Sequence, residues 1–300
     1  MADDIRLALG GPGLILGDGG MGWYLTAQGL LPGAPCEVWN AERPEVVRDH
    51  LQAFLRAGAR VLTANTLTAN RLHHPEIAPG RLMDLARRGV ELARQVAGSA
   101  AWVAGDMGPT GRLLAPFGET TVAQAEEAYA EQAAALAEAG ANLILFETMT
   151  DVAEARAGVC AALAATNLPV AVTFALDVRA RTPMGQTAAA AAQAMEAAGA
   201  CATGANCGAG PEAVLAGIRQ MREATRLPLI AQPNAGVPRL EGSRTQWDIG
   251  VEGFRQVAGE LAVLGARWIG GCCGTTAEHV RVAGEALAGA RRRAGGGAAV

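Results

Sequence analysis

Aromatic residues, long apolar runs and clustered positive charge are all scarce in this sequence. Only 4% of the 300 residues are aromatic, although 50% are hydrophobic. Alanine and glycine take the place of the aromatics, which favours short loops and helices packed closely on a sheet over a roomy β-sandwich. No stretch reaches the ~18 consecutive apolar residues that a membrane helix needs, so we expect no membrane span.

The charge pattern gives no indication of a nucleic-acid partner. The formal net charge is −4, and no basic run precedes Arg291-Arg292-Arg293, so we expect no nucleic-acid binding. The acidic start lacks the apolar core of a signal peptide, and we expect a disordered tail at 294–300. These features predict a cytoplasmic protein with reduced thiols. Six cysteines there favour metal binding or catalysis over disulfides.

One local pattern recurs four times: a helical run ends in glycine and leads at once into a short apolar strand. Glycine at the end of a helix supplies the positive φ that other residues avoid. The four glycines are Gly58, Gly140, Gly199 and Gly265. Four further apolar runs lie between them, at Leu14–Leu16, Trp102–Ala104, Val170–Phe174 and Leu229–Ala231. The sequence therefore predicts eight strands.

Helices are predicted between these strands. Pro44–Ala57 has apolar residues at helical spacing, Thr121-x-x-Gln124 and Thr275-x-x-Glu278 have the pattern of capping boxes, and Pro211 suits a first helical position. Strands that alternate with single helices form a parallel sheet with right-handed crossovers. Eight such units predict one α/β domain over residues 1–300, a single (β/α)8 TIM barrel.

Polar residues are concentrated where the predicted strands end. In this fold, those positions face the active site. They are Asp18-Gly19-Gly20, Asn65-Thr66, Asp106-Met107-Gly108, Glu147-Thr148, Asp177, Asn206-Cys207-Gly208, Pro233-Asn234-Ala235-Gly236 and Gly271-Cys272-Cys273-Gly274. A barrel with a purely structural role does not need them, so we predict an enzyme.

Three cysteines indicate the chemistry. Strands six and eight are two apart around a barrel, so Cys207 can meet Cys272 and Cys273 over the mouth. Three thiolates suit zinc and leave one coordination position open, as in catalytic sites. A buried cysteine beside a glycine-rich turn, or a vicinal disulfide, would be alternatives. The other cysteines, Cys36, Cys160 and Cys201, are interpreted as packing residues, and the adjacent histidines at 73–74 lack ligand spacing.

The motifs GDGG, GDMGPTG, GANCG, PNAG and GGCCGTTAEHV occur in this order, and with them the chain resembles the zinc-dependent homocysteine S-methyltransferase family from about Leu14 to the last helix. The resemblance implies that Cys207, Cys272 and Cys273 hold Zn²⁺. It also implies that the turn Asp18-Gly19-Gly20 holds the carboxylate of homocysteine and that Glu147 pairs with its ammonium group. Asn65 and Asn234 are expected beside the pocket, with Asn234 as a stand-in zinc ligand when substrate is absent.

The same resemblance leaves the methyl donor open. Betaine or S-methylmethionine, both small methyl-onium compounds, would give methionine directly from homocysteine. Alternatively, a separate methyl-corrinoid protein would present its methyl group to this barrel. Two other classes are weighed on the residues: a zinc hydrolase, which three thiolates suit poorly, and a non-catalytic zinc or thiol redox sensor.

Overall fold

The computed structural model describes residues 4–241 and 244–295, and its main feature is an eight-stranded parallel sheet. All eight predicted strands are present. They are β1 Ile15–Leu16, β2 Val61–Thr63, β3 Trp102–Met107, β4 Leu143–Met149, β5 Val170–Phe174, β6 Ala202–Asn206, β7 Leu229–Gln232 and, after an additional hairpin, β10 Ala266–Ile269.

The sheet curls into a barrel with the strand order β1-β10-β7-β6-β5-β4-β3-β2. β7 separates β6 from β10, as the cysteine prediction requires. Between the two outermost strands of this order, β1 and β2, the backbone N–H of Arg60 donates to Leu16 O at 2.7 Å. The fold is the predicted single (β/α)8 TIM barrel.

Helices surround the sheet, most of them on its outside. They are α1 Ile5–Gly10, α2 Met21–Ala27, α3 Trp39–Glu42, α4 Pro44–Arg56, α5 Pro79–Ala97, α6 Val122–Glu138, α7 Val152–Ala165, α8 Ala188–Ala198, α9 Pro211–Ala224, α10 Val251–Val263 and α11 Ala277–Gly295. Helix α1 packs against the interior layer at the amino-terminal end of the barrel. The capping box of Thr121 and Gln124 is formed, and Pro211 opens α9. The four helix-ending glycines have φ between +90° and +99°, which confirms why glycine stands there.

Two local features differ from the sequence-based expectation. The segment after β7 forms an antiparallel hairpin, β8 Pro238–Glu241 and β9 Arg244–Trp247, whose strands are too short to stand out as a pattern. The prediction of a capping box at Thr275 is wrong, because its hydroxyl donates to Cys272 O at 2.6 Å and helix α11 begins at Ala277. The turn that carries the cysteines uses this hydroxyl to satisfy a buried carbonyl.

The core has two layers, one between helices and sheet and one inside the barrel. The inner layer is apolar at the amino-terminal end, where Ile5 and Leu9 of α1 join side chains such as Trp102 and Trp268. Along β3 the inward positions run Trp102, Ala104, Asp106, so the interior becomes polar toward the carboxyl ends of the strands. This change in polarity places the candidate site at one end of the barrel.

The chain ends are only partly described. Helix α11 includes residues 294 and 295, and the rest of the predicted tail, 296–300, lies outside the described residues. Within 4–241 and 244–295, no helix combines the length and apolarity needed to cross a bilayer.

Candidate functional site

A cavity of about 230 Å³ opens at the carboxyl ends of the barrel strands. Its lining brings together every predicted site residue except Asn234. These are Asp18, Gly19, Gly20, Asn65, Glu147, Cys207, Cys272 and Cys273. Residues that are up to 255 positions apart in the sequence therefore meet because successive parallel strands end at the same rim.

The three cysteines form one cluster on the β6–β7–β10 side of this cavity. Their Sγ atoms all lie within 4.8 Å of one another, and those of Cys272 and Cys273 are 4.0 Å apart. Backbone contacts with the residues of β7 and the loop that follows it fix them, since Cys207 N donates to Gln232 O at 3.2 Å and Cys272 N to Pro233 O at 2.9 Å. Cys207 itself has a φ of +52°, a strained conformation held by these surroundings.

The protonation of the cluster shows what it can bind. Thiol hydrogen bonds from Cys272 and Cys273 lower the pKa of Cys207 to about 3. The same contacts raise the pKa of Cys273 to about 12 and that of Cys272 well above its ordinary value. Three thiolates this close repel one another unless a cation lies among them. Sulfurs that share one tetrahedral zinc at Zn–S ~2.3 Å are about 3.8 Å apart, so the residues present fit such an ion.

Glu147 faces the cavity from β4, across from the sulfur cluster. Burial, with Asp18 and Cys207 nearby, raises the pKa of its carboxyl to about 8. The Nε2 group of Gln232 donates to Glu147 Oε1 at 3.2 Å and fixes its orientation. A carboxylate so placed can accept hydrogen bonds from an ammonium group.

The turn after β1 is built around close approaches of the backbone. A Cβ on Gly19 would lie 2.5 Å from Thr275 Oγ1, and one on Gly20 would lie 2.9 Å from the carbonyl of Cys272, so neither position tolerates a side chain. Gly20 N donates to Cys272 O at 3.2 Å. Met21 and Gly22 at the start of α2 also line the cavity, and the first N–H groups of a helix have no acceptor within it.

Asp18 has a structural role that the sequence did not reveal. Its carboxylate accepts from Thr63 N at 2.6 Å and from Thr63 Oγ1 at 2.8 Å, so the side chain joins β1 to β2. Burial outweighs these hydrogen bonds and raises its pKa to about 6. Both carboxylate oxygens are used in this link, so a homocysteine carboxylate would be held by the backbone of the turn.

The two predicted asparagines bind protein groups in this structure. Asn65 Nδ2 donates to Cys36 O at 2.8 Å and to Asn40 Oδ1 at 2.9 Å. Asn234 Oδ1 accepts from Cys273 N at 3.1 Å, and its side chain also interacts with the Cys207 sulfur. Both therefore position other parts of the site, and their direct contacts with substrate or metal stay predictions.

Two residues at the site, Glu37 and His50, were missed by sequence reasoning. Buried Glu37 accepts from Thr68 N at 2.7 Å, and the Nε2 of buried His50 lies 3.3 Å from Gly19 O. Both lie away from the strand ends. Asn206 was predicted at a strand end without a role, and it donates to Thr148 Oγ1 at 2.7 Å and approaches Cys272 Sγ at 3.8 Å.

The site can now be compared with known proteins. The model of the family described as homocysteine S-methyltransferase matches residues 15–287. The chain belongs to this family. A methionine synthase of Mycobacterium tuberculosis (strain ATCC 25618 / H37Rv) is 31% identical in an alignment of 299 positions that covers 93% of this chain and 25% of that relative. One of Mycobacterium leprae (strain TN) is 31% identical in an alignment of 295 positions that covers 92% of this chain and 24% of that relative.

Members of the family can thus be much longer than this chain, which spans about a quarter of these two relatives. Among solved structures, the metallated homocysteine methyltransferase MmuM from Escherichia coli has a TM-score of 0.76 at 23% identity, with 94% of this chain and 99% of that chain covered. A methyltransferase from Methanosarcina mazei has a TM-score of 0.60 at 14% identity, with 96% and 98% covered. At identities this low, the structural similarity is evidence for the fold alone.

Proposed function

We propose that this chain transfers a methyl group to the thiol of homocysteine, giving methionine, with Zn²⁺ held by Cys207, Cys272 and Cys273. The observation that carries the proposal is the convergence of three thiols, within 4.8 Å of one another, on the wall of the cavity. When bound, zinc supplies a Lewis acid that lowers the pKa of a thiol and favours its nucleophilic thiolate. The proposal includes a reducing, cytoplasmic location, where thiols stay available to bind the metal.

The chain's own residues bind and orient the amino-acid substrate. The backbone of the Asp18-Gly19-Gly20 turn and of the start of α2 holds the carboxylate. Glu147, oriented by Gln232, accepts from the ammonium group. In the transfer itself, the substrate sulfur forms a bond to the methyl carbon, the donor keeps the electron pair of the broken bond, and the thiol proton leaves to solvent.

A small methyl-onium donor, such as betaine or S-methylmethionine, suits the charge of the cavity. Four carboxyl residues line it, and among the residues that the structure describes no arginine, lysine or histidine does. A positive charge beside such carboxyl groups favours their ionised form, so the wall favours an onium group over an anion. The donor is therefore proposed to carry an onium group whose positive charge is lost when the methyl group leaves.

A second candidate is a methyl-corrinoid protein as donor. The specific observation in its favour is the 31% identity to two methionine synthases, of each of which the chain matches about a quarter. In this case a separate protein would bring the methyl group to the mouth of the barrel.

The test is zinc content and methionine formation on one purified, reduced sample. Homocysteine is supplied in parallel reactions with S-methylmethionine, betaine and a methyl-corrinoid. We expect one zinc per chain and methionine from one of the two small donors. Methionine from the corrinoid alone would favour the second candidate. Zinc without methionine from any donor would favour a sensor, and a protein with neither zinc nor turnover would overturn the proposal.

A further inference from the structure

Asp106 is a buried carboxylate that the proposed function does not use. It lies on β3 with its side chain in the cavity wall and is 4% exposed. Within the described part of the chain, its Oδ1 has no hydrogen-bond partner. Its neighbour Thr66 contacts only its backbone, donating to Asp106 O at 2.8 Å and accepting from Asp106 N at 3.1 Å.

Among residues 4–241 and 244–295, the surroundings of Asp106 offer no compensating positive charge. The sequence contains no lysine, and no arginine or histidine of these residues lines the cavity. The charged groups that act on its carboxyl are Glu147, Asp18 and Glu37, all acidic, and together with burial they raise its pKa well above the ordinary value. A backbone hydrogen bond from Met107 acts in the opposite direction and is outweighed. Burying a carboxylate without a counter-ion is costly, so burial and the acidic neighbours favour the neutral carboxyl until a cation binds.

The position of Asp106 indicates which cation. Asp106 pairs with Leu145 in the β3–β4 register, so Glu147 lies two residues further along the neighbouring strand on the same inner face. An ammonium group has three N–H donors and can serve two carboxylates at once. A quaternary ammonium or sulfonium group has no N–H and would leave Oδ1 without a hydrogen bond.

We propose that Asp106 is a second ligand of the substrate's ammonium group, accepting a hydrogen bond through Oδ1 beside Glu147; this inference rests on the proposed function. The proton balance follows from the same geometry. In the free protein the carboxyl of Asp106 carries a proton. When the ammonium group binds, the carboxyl ionises to pair with it, and this proton is released to solvent.

Calorimetric titration of the zinc-loaded, reduced protein with homocysteine at pH 7 tests the proposal. Titrations in two buffers of different ionisation enthalpy count the protons released. We expect Asp106→Asn and Asp106→Ala to weaken homocysteine binding about tenfold or more, since a charge-assisted hydrogen bond is lost. Each variant should also release up to one proton fewer than the wild type. Zinc content shows that the variants are folded, and the exposed Asp84→Asn on α5 is the matched control.

A second ligand tests whether the effect of Asp106 depends on the ammonium group of the substrate. 4-Sulfanylbutanoate is homocysteine without its amino group, and its affinity should be the same for the wild type and for Asp106→Asn. Equal losses for both ligands, or unchanged homocysteine binding and proton release, would overturn the role of Asp106 and leave the proposed function standing. Failure of the wild type to bind homocysteine at all would overturn both.

Discussion

The two sides of the barrel mouth are held together in different ways. On the sulfur side, formed by the ends of β6, β7 and β10, contacts between backbone groups set the frame, as where Ala235 N donates to Cys273 O at 2.9 Å. Side chains such as Asn234 and Thr275 add hydrogen bonds to this frame. On the carboxylate side, formed by the ends of β1 to β4, side chains make the connections. Asp18 binds Thr63, and Asn40 Nδ2 donates to Asn65 O at 2.8 Å.

This difference decides how each side responds to mutation. The sulfur side takes its shape from strand order and tight turns, so a substituted cysteine removes a ligand and leaves the frame. The carboxylate side takes its shape from side-chain hydrogen bonds, so one substitution there changes both the frame and the binding of substrate. Substitutions on the two sides should therefore differ in their effects on stability and on substrate binding.

The largest effect is expected from Cys272→Ser on the sulfur side. A serine hydroxyl is a poor ligand for zinc compared with a thiolate, so we expect zinc to be lost on dialysis and turnover to fall by more than about 100-fold. Zinc content and methionine formation measure this. The exposed Cys160→Ser on α7 is the control and should retain both. Full zinc and full rate in Cys272→Ser would show that the cluster is not the metal site.

Much of the sulfur side could be predicted from sequence, for a physical reason. The glycines that end helices and the short apolar strands fix the strand order, and strand order alone brings Cys207 to Cys272 and Cys273. The motif at the end of the eighth strand then indicates a metal site with thiolate ligands. No contact between distant side chains had to be known.

The carboxylate side could be predicted only in outline. Their positions at strand ends predicted Asp18, Asn65 and Glu147 as site residues. The hydrogen-bond partners of Asp18 and Asn65, however, depend on how the loops fold over the mouth of the barrel. Glu37 and His50 belong to a 3₁₀ turn and to helix α4, where no periodicity marks a functional residue. The hairpin that packs Trp247 against Gly274 was missed because its two strands span only four residues each.

An intermediate effect is expected from Asp18→Asn, which alters the link between β1 and β2. The pKa of Asp18 is raised from 3.8 to about 6 in the folded protein, so the native state binds more protons than the unfolded state between about pH 4 and pH 6. Its contribution to stability therefore falls as pH rises through this window, by at most about 3 kcal/mol. Asparagine does not titrate, so the variant should lose this dependence.

Urea unfolding of the metal-free, reduced proteins at pH 4, 5, 6 and 7 measures the effect. At pH 4 the variant should be less stable by about 1–3 kcal/mol, because one donor of Thr63 loses its acceptor. The gap between variant and wild type should then narrow as pH rises, and it should stay constant in the exposed control Asp84→Asn. Parallel curves for Asp18→Asn would mean that the pKa of Asp18 is the same in the folded and the unfolded protein.

The smallest effect is expected from Thr68→Val, which tests the chain of side chains behind Glu37. Thr68 Oγ1 lies 3.0 Å from both carboxylate oxygens of Glu37 and 3.0 Å from His74 Nε2. Valine keeps the shape and removes the hydroxyl, so Glu37, which lines the cavity, loses one of its two anchors while Thr68 N remains. We expect a KM for homocysteine raised about two- to fivefold with kcat nearly unchanged, and a loss of about 1 kcal/mol in stability.

Thr166→Val is the matched control, because its hydroxyl donates to Ala162 O at the far end of helix α7. The Thr166→Val variant should lose a similar amount of its free energy of unfolding, and its KM should be unchanged. A rise in KM only for Thr68→Val would assign the effect to the cavity wall. Equal rises in both variants would mean that KM follows global stability, and the distinction between a backbone-built sulfur side and a side-chain-built carboxylate side would then have no consequence for substrate binding.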